Sequence, residues 1–119
     1  MKKLLLTFFL SSISLGVLAK DCELANKSPT DIATCYEKSS FNKVSTNLAK
    51  LKEISKTQLS YNKNVLVELN NSQTAWLKYR DSYCDSYSNY HDELNNHSNC
   101  IVNMNNQRAE QLQQDINAN

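Results

Sequence analysis

Three stretches of this chain repeat apolar residues at steps of three and four, and polar segments separate them. The first stripe is Ile32, Cys35, Phe41, Val44, Leu48 and Leu51, continuing to about Leu59. The second is Leu66, Leu69, Gln73, Trp76, Arg80, Tyr83, Tyr87 and Tyr90, and the third is Cys100, Ile101, Met104, Arg108, Leu112 and Ile116. Such spacing gathers one stripe on one face of an α-helix. Ser28-Pro29-Thr30-Asp31 opens the first helix, with Ser28 as N-cap, Pro29 at the first helical position and Asp31 reaching back as in a capping box. SYNKN, residues 60–64, breaks the pattern before a second helix from about Val65 to Tyr90. HDELNNHSN, residues 91–99, is polar and predicts a loop before the last helix. One apolar stripe per helix predicts an all-α fold, a small three-helix bundle with short connections and no second domain.

The N-terminal apolar run has a different character. MKKLLLTFFLSSISLGVLA starts with two lysines and ends in small residues at Val17 and Ala19, the layout of a secretory signal peptide over residues 1–19. The expected cut is before Lys20, leaving a mature domain of residues 20–119. The run is too short and wrongly flanked for a membrane span. Cys22 follows Lys20 and Asp21 rather than small residues, so the signal does not predict a lipoprotein. The expected location is the periplasm, without stable membrane insertion after cleavage.

Composition sharpens this picture. The single glycine, Gly16, lies in the signal and the single proline is Pro29, which leaves too few turn formers for a sandwich or barrel. Without Lys2 and Lys3 the chain carries eleven basic and twelve acidic side chains, a balance that argues against nucleic acid as a partner. The charges are unevenly spread. From Lys38 to Arg80 eight Lys or Arg face only Glu53 and Glu68, whereas Asp81, Asp85, Asp92 and Glu93 stand in a stretch to Gln107 without a basic residue. This is either two solvated faces or a dipolar surface that steers a charged partner.

All four cysteines are exported on this reading, and an even count in an oxidising compartment predicts two disulfides. Local spacing favours Cys22–Cys35 and Cys84–Cys100, each closing a loop of about fifteen residues worth ~3 kcal/mol in the chain-entropy model. The other two pairings stay open. No C-x-x-C pair is present and His91 and His97 lack a helical ligand spacing, so neither a metal nor another cofactor is expected.

The second stripe carries a glutamine and an arginine where a seam should be apolar. Around them Gln73, Trp76, Tyr79, Arg80, Asp81 and Cys84 form Q-x-x-W-x-x-Y-R-D-x-x-C. With Asp21-Cys22, Cys35, and a final Cys100 followed by Arg108 and Leu112, this resembles the LprI-type lysozyme inhibitor family of small exported bacterial helical domains. The resemblance implies that Gln73, Trp76, Arg80 and Arg108 stand at signature positions beside two disulfides. One departure is visible: the family's first helix usually carries Asp-x-x-Leu-Asn, and here the stretch is Ser45-Thr46-Asn47-Leu48-Ala49. A carboxylate partner for a buried arginine is therefore absent from its usual place. Polar groups on a seam are tolerated when their hydrogen bonds are satisfied, and they then fix register. Gln73 and Arg80 are expected to reach backbone carbonyls or carboxylates of the facing helices, with Trp76 filling the core between them. The motif, including Tyr79, Asp81, Arg108 and Leu112, is read as mainly structural; the competing reading puts Arg80 at an open groove touching a ligand.

Catalysis is not expected. No Ser, His and Asp set stands in a recognisable context, and the cysteines are committed to disulfides. Asp92 and Glu93 are adjacent rather than on opposite walls of a cleft, as a glycosidase would require. The resemblance implies a monomeric periplasmic binding protein with a protein partner, blocking lysozyme or another cell-wall hydrolase sterically. Animal lysozymes are generally basic, which matches the acidic stretch and makes Asp85, Tyr87, Tyr90, His91, Asp92 and Glu93 the expected contact residues. Two other functions fit the same size, export and fold. One is an immunity protein against a cell-wall-degrading toxin. The other is an envelope structural or stress module that lays the basic helix, Lys43 to Lys63, on anionic lipid or glycan.

Overall fold

The computed structural model describes residues 20–23, 27–58, 61–91 and 96–119. The signal peptide expected over residues 1–19 lies outside them. Three α-helices dominate: α1 Pro29–Gln58, α2 Val65–Tyr90 and α3 Asn96–Asn117, preceded by a single 3₁₀ turn at Lys20–Glu23. The lead-in around Cys22 is thus a tight helical turn. Its compact form brings Cys22 back to α1, where it bonds Cys35 across a Cα–Cα distance of 5.5 Å. Tyr36 reinforces the attachment by donating its hydroxyl to Glu23 Oε1 at 2.6 Å, and that carboxylate acceptor raises the phenol pKa above its ordinary value.

The start of α1 follows from its sequence. Ser28 Oγ accepts from the Asp31 amide at 3.2 Å, and Asp31 Oδ2 accepts from the Ser28 amide at 3.1 Å and from its hydroxyl at 2.7 Å. This reciprocal arrangement satisfies donors that a helix N-terminus otherwise leaves open. Between α1 and α2, Asn62 Oδ1 accepts from the Asn64 amide at 3.1 Å, a side-chain turn that relaunches the chain at Val65. The connection after α2 is shorter than the run of polar residues predicts, because α3 starts at Asn96 and not after Asn99. Tertiary ties overrule the weak helix propensity of Asn96, His97, Ser98 and Asn99. Asn96 Nδ2 donates to the His91 carbonyl at 2.9 Å, His97 Nε2 lies 3.0 Å from Asp85 Oδ1, and Cys100 is bonded to Cys84.

The helices do not share the core equally. α3 lies along α1 for most of its length, α2 leans on α3, and α1 and α2 touch only locally. The central core is Val44, Leu51, Ala109 and Leu112, with Phe41, Leu48, Leu69, Trp76 and Ile116 packed around it. A second cluster gathers Cys84, Cys100 and Ile101 with Tyr87 and Met104 at the far end of α2. Small residues let α1 and α3 approach: Ser40 and Ser55 are buried because each hydroxyl bonds back to its own helix, on the Glu37 and Leu51 carbonyls. Asn47, which stands in the stretch that departs from the family pattern, donates to the Ala109 carbonyl of α3 at 2.9 Å.

Candidate functional site

The polar residues of the α2 seam meet a matching set on α3. Gln73 is buried and its Oε1 accepts from Arg108 Nε at 3.2 Å. Arg108 also donates to Gln111 Oε1 at 2.6 Å, and burial pushes its guanidinium below its ordinary pKa against the pull of Asp115. Arg80 donates through Nη1 to Asn105 Oδ1 at 3.0 Å. Asn105 is completely buried and passes the chain of bonds to α1, donating to Ser40 Oγ at 2.9 Å and to the Glu37 carbonyl at 3.4 Å. Trp76 stands between the arginines, with the Arg80 and Arg108 guanidinium carbons 5.4 and 5.7 Å from its ring centre. Arg80 lies also 5.5 Å from the centre of the Phe41 ring. A guanidinium is attracted to the negative face of an aromatic ring, more strongly where water is excluded.

Two expectations about this seam need correction. The facing acceptors are carboxamides, Asn105 for Arg80, and Gln73 itself accepts from a side chain rather than reaching a carbonyl. The carboxylate that Arg80 finds is on its own helix: Asp81 Oδ1 lies 2.8 Å from Nε and 2.6 Å from Nη2. An α3 amide and an α2 neighbour thus take over from the carboxylate missing on α1. Trp76 is half-buried at the edge of the core rather than enclosed in it. Leu112 is buried, and Tyr79 points away from the core, 59% exposed. A shallow hollow beside Arg80, lined by Glu37, Lys38, Phe41, Ile101 and Asn105, leaves little for a ligand to take, because all three guanidinium nitrogens are already engaged.

The other end of α2 has a different surface. Tyr79, Tyr83, Tyr87 and Tyr90 form a ladder of rings with successive centroids 5.8, 6.1 and 5.6 Å apart, and His91 closes it 4.2 Å from Tyr87. Tyr83 and Tyr90 are 40% and 61% exposed, Tyr87 is half-buried, and His91 is exposed. Partial desolvation, then the neighbouring Tyr83, raises the Tyr90 pKa. Beside the ladder, α2 and α3 enclose an open groove of about 460 Å³. One wall is Tyr79, Tyr83 and Tyr87; the other is an α3 row of Asn96, Asn99, Asn103 and Gln107, with Cys100 and Met104 at the floor. Asp85 is exposed next to this surface and hydrogen-bonded to His97, while Asp92 and Glu93 lie outside the described residues. Of the six residues expected to contact a partner, the structure therefore brings Asp85, Tyr87, Tyr90 and His91 to one end of the molecule. The α3 amide row went unrecognised in the sequence. Its signal was the polar recurrence at 96, 99, 103 and 107, hidden among many other asparagines.

Both disulfides, Cys22–Cys35 and Cys84–Cys100, are present as the local spacing favours, and they fit an exported protein. No curated protein and no solved structure matches the chain significantly. A family model described as lysozyme inhibitor LprI does match, over residues 22–112. That span takes in all four cysteines, the Gln73–Cys84 motif, Arg108 and Leu112, so the chain belongs to the LprI lysozyme inhibitor family.

Proposed function

We propose that the protein is a non-enzymatic inhibitor that binds a lysozyme-type cell-wall hydrolase and blocks its cleft sterically. The family match through both disulfides and the seam motif carries this reading. On it, the mature chain starts at Lys20, carries no lipid, and acts in the periplasm as a monomer. An intact mass equal to residues 20–119 less four hydrogens would agree with that; an acylated mass or free thiols would not.

The contact surface in this proposal is the end of α2 with the loop after it. Asp85, Asp92 and Glu93 supply negative charge for a basic enzyme, and Tyr87, Tyr90 and His91 supply ring area at small entropic cost. Charges at a rim govern association more than dissociation. Asp85→Asn, Asp92→Asn and Glu93→Gln together should slow association and flatten its salt dependence with the fold intact. Tyr90→Ala should mainly speed dissociation. The assay is lysozyme action on a cell-wall substrate at two salt concentrations. A triple variant that inhibits like the unmodified protein at low salt removes this surface. An unmodified protein that inhibits no lysozyme, yet captures a wall-cutting toxin, replaces the reading with immunity.

A further inference from the structure

The groove between α2 and α3 has a chemistry that a hydrolase-contact surface does not require. Its rings and amides come in two facing rows set by helical spacing. Tyr79, Tyr83 and Tyr87 repeat every fourth residue on α2, so the row extends about 12 Å along the helix. Asn99, Asn103 and Gln107 repeat the same way on α3 and face them. Among the described residues no carboxylate, ammonium or guanidinium lines the groove.

The amides of α3 divide by the face on which they lie. Asn105, turned into the fold, has its carboxamide fully engaged between Arg80, Ser40 and Glu37. Asn99, Asn103 and Gln107, on the groove side, are exposed and make no side-chain hydrogen bond to another described residue. Each therefore offers one carbonyl acceptor and two N–H donors to the groove. Exposed aromatic surface opposite a row of free neutral amides is poorly suited to an ion. It suits a ligand with apolar C–H faces on one side and many neutral donors and acceptors on the other.

We infer that this groove binds a neutral N-acetylated oligosaccharide, of the kind made of N-acetylhexosamine units. A pyranose ring stacks its C–H face on a tyrosine. Its hydroxyl and acetamido groups exchange hydrogen bonds with side-chain carboxamides, the acetamido C=O accepting from an amide N–H and its own N–H donating to an amide oxygen. Acidic glycans are disfavoured, because the segment from Asp81 to Gln107 carries acids and no Lys or Arg. The site goes beyond the inhibitor reading: it takes a polymer of the class that a lysozyme cuts, not the enzyme, and it would hold an inhibitor on the wall it protects.

The test is titration of the disulfide-bonded mature protein with the N-acetylglucosamine tetramer, followed by amide NMR shifts. Saturable shifts confined to residues 79–87 and 96–107 are expected. Tyr83→Ala, an exposed position, should weaken binding about tenfold without changing the thermal transition, the scale of one lost aromatic contact. Asn103→Ala should weaken it less. A tetramer of plain glucose should bind more weakly than the acetylated one, and a sulfated oligosaccharide should not bind. No shifts at millimolar tetramer, or shifts spread elsewhere, would overturn the inference. If Tyr83→Ala abolishes lysozyme inhibition while the unmodified protein ignores the tetramer, the groove contacts protein and the glycan inference falls alone. If the tetramer binds and lysozyme is not inhibited, the inference stands and the inhibitor reading falls.

Discussion

The α1–α3 seam and the attachment of α2 are built from different materials. Where α1 meets α3, Val44, Leu51 and Leu112 bury apolar volume against small residues, and among the described residues only Asn47 and Asn105 carry polar bonds across, to the Ala109 carbonyl and to Ser40 and the Glu37 carbonyl. Where α2 meets α3, apolar contacts at Leu69 and Tyr87 are joined by Gln73 on Arg108, Arg80 on Asn105, a tryptophan beside two cations, and a disulfide. Apolar burial is non-directional and tolerates sliding; hydrogen-bonded groups hold only in one register. The first interface supplies most of the stability, and the second fixes where α2 sits. An amphipathic helix held this way keeps its outer face for other uses, and here that face is the tyrosine ladder.

The largest effect should come from the apolar side of this contrast. Leu112→Ala removes a side chain packed at the meeting point of all three helices and should cost about 3–4 kcal/mol. The whole molecule should melt early in a single transition, read by circular dichroism. A change confined to α2 would show that the two interfaces are not ranked as described.

Breaking Cys84–Cys100 with paired serines should cost about 3 kcal/mol in the chain-entropy model, a little less than Leu112→Ala. Its signature should be local. Amide exchange should rise in the C-terminal part of α2 and the first turns of α3, while Val44 to Leu51 stays protected. Uniform loss of protection would mean that α2 and the α1–α3 pair unfold as one unit.

Trp76→Ala should follow at about 2 kcal/mol, below the ~3–5 kcal/mol of a fully enclosed tryptophan, because the ring is half-buried. It strips the shared ring from Arg80 and Arg108, so exchange in α2 should rise around Gln73 and Arg80. A native-like melting curve together with lost partner binding would instead assign Trp76 to the binding surface.

Much of this division was legible in the sequence, and what escaped has a physical reason. The boundaries of α2 follow from SYNKN and from the end of the seam at Tyr90, and Ser28-Pro29 marks where α1 begins. Local spacing favoured the observed disulfides because each closes a short loop. The partner of Arg80 was not legible. A buried carboxamide such as Asn105 looks like any surface asparagine until the packing is known, and this chain has many. The seam itself drifts. A strict three-and-four repeat slips around a straight helix by ~20° per heptad, so Tyr83 and Tyr90 leave the interface that Leu69 and Gln73 occupy. The start of α3 was missed because its first turn is held by contacts and not by propensity: Asn96 on His91, His97 on Asp85, and the following Cys100 on Cys84.

The smallest expected effect concerns the N-terminus of α1, remote from both interfaces. Asp31 is fully exposed, and its hydrogen bonds from the Ser28 hydroxyl and amide lower its carboxyl pKa from the ordinary 3.8, with Lys27 helping and slight desolvation opposing. A folded-state pKa below the unfolded one means that the ionised carboxylate favours the folded helix start. That contribution is complete above the unfolded value and fades as the pH falls through the folded one. Asp31→Asn should therefore lower stability slightly at neutral pH and make no difference under strongly acid conditions, where both chains lack the charge. Melting curves of the two proteins, taken from pH 7 down past the ordinary carboxylate range, should converge. If the gap stays constant, the bond to Ser28 acts through its geometry and not its charge. The effect should also stay local, fraying the first turn of α1 and leaving Trp76 and its arginines untouched. A shift in the environment of the tryptophan would tie the helix start to the α2 interface and blur the separation between the two seams.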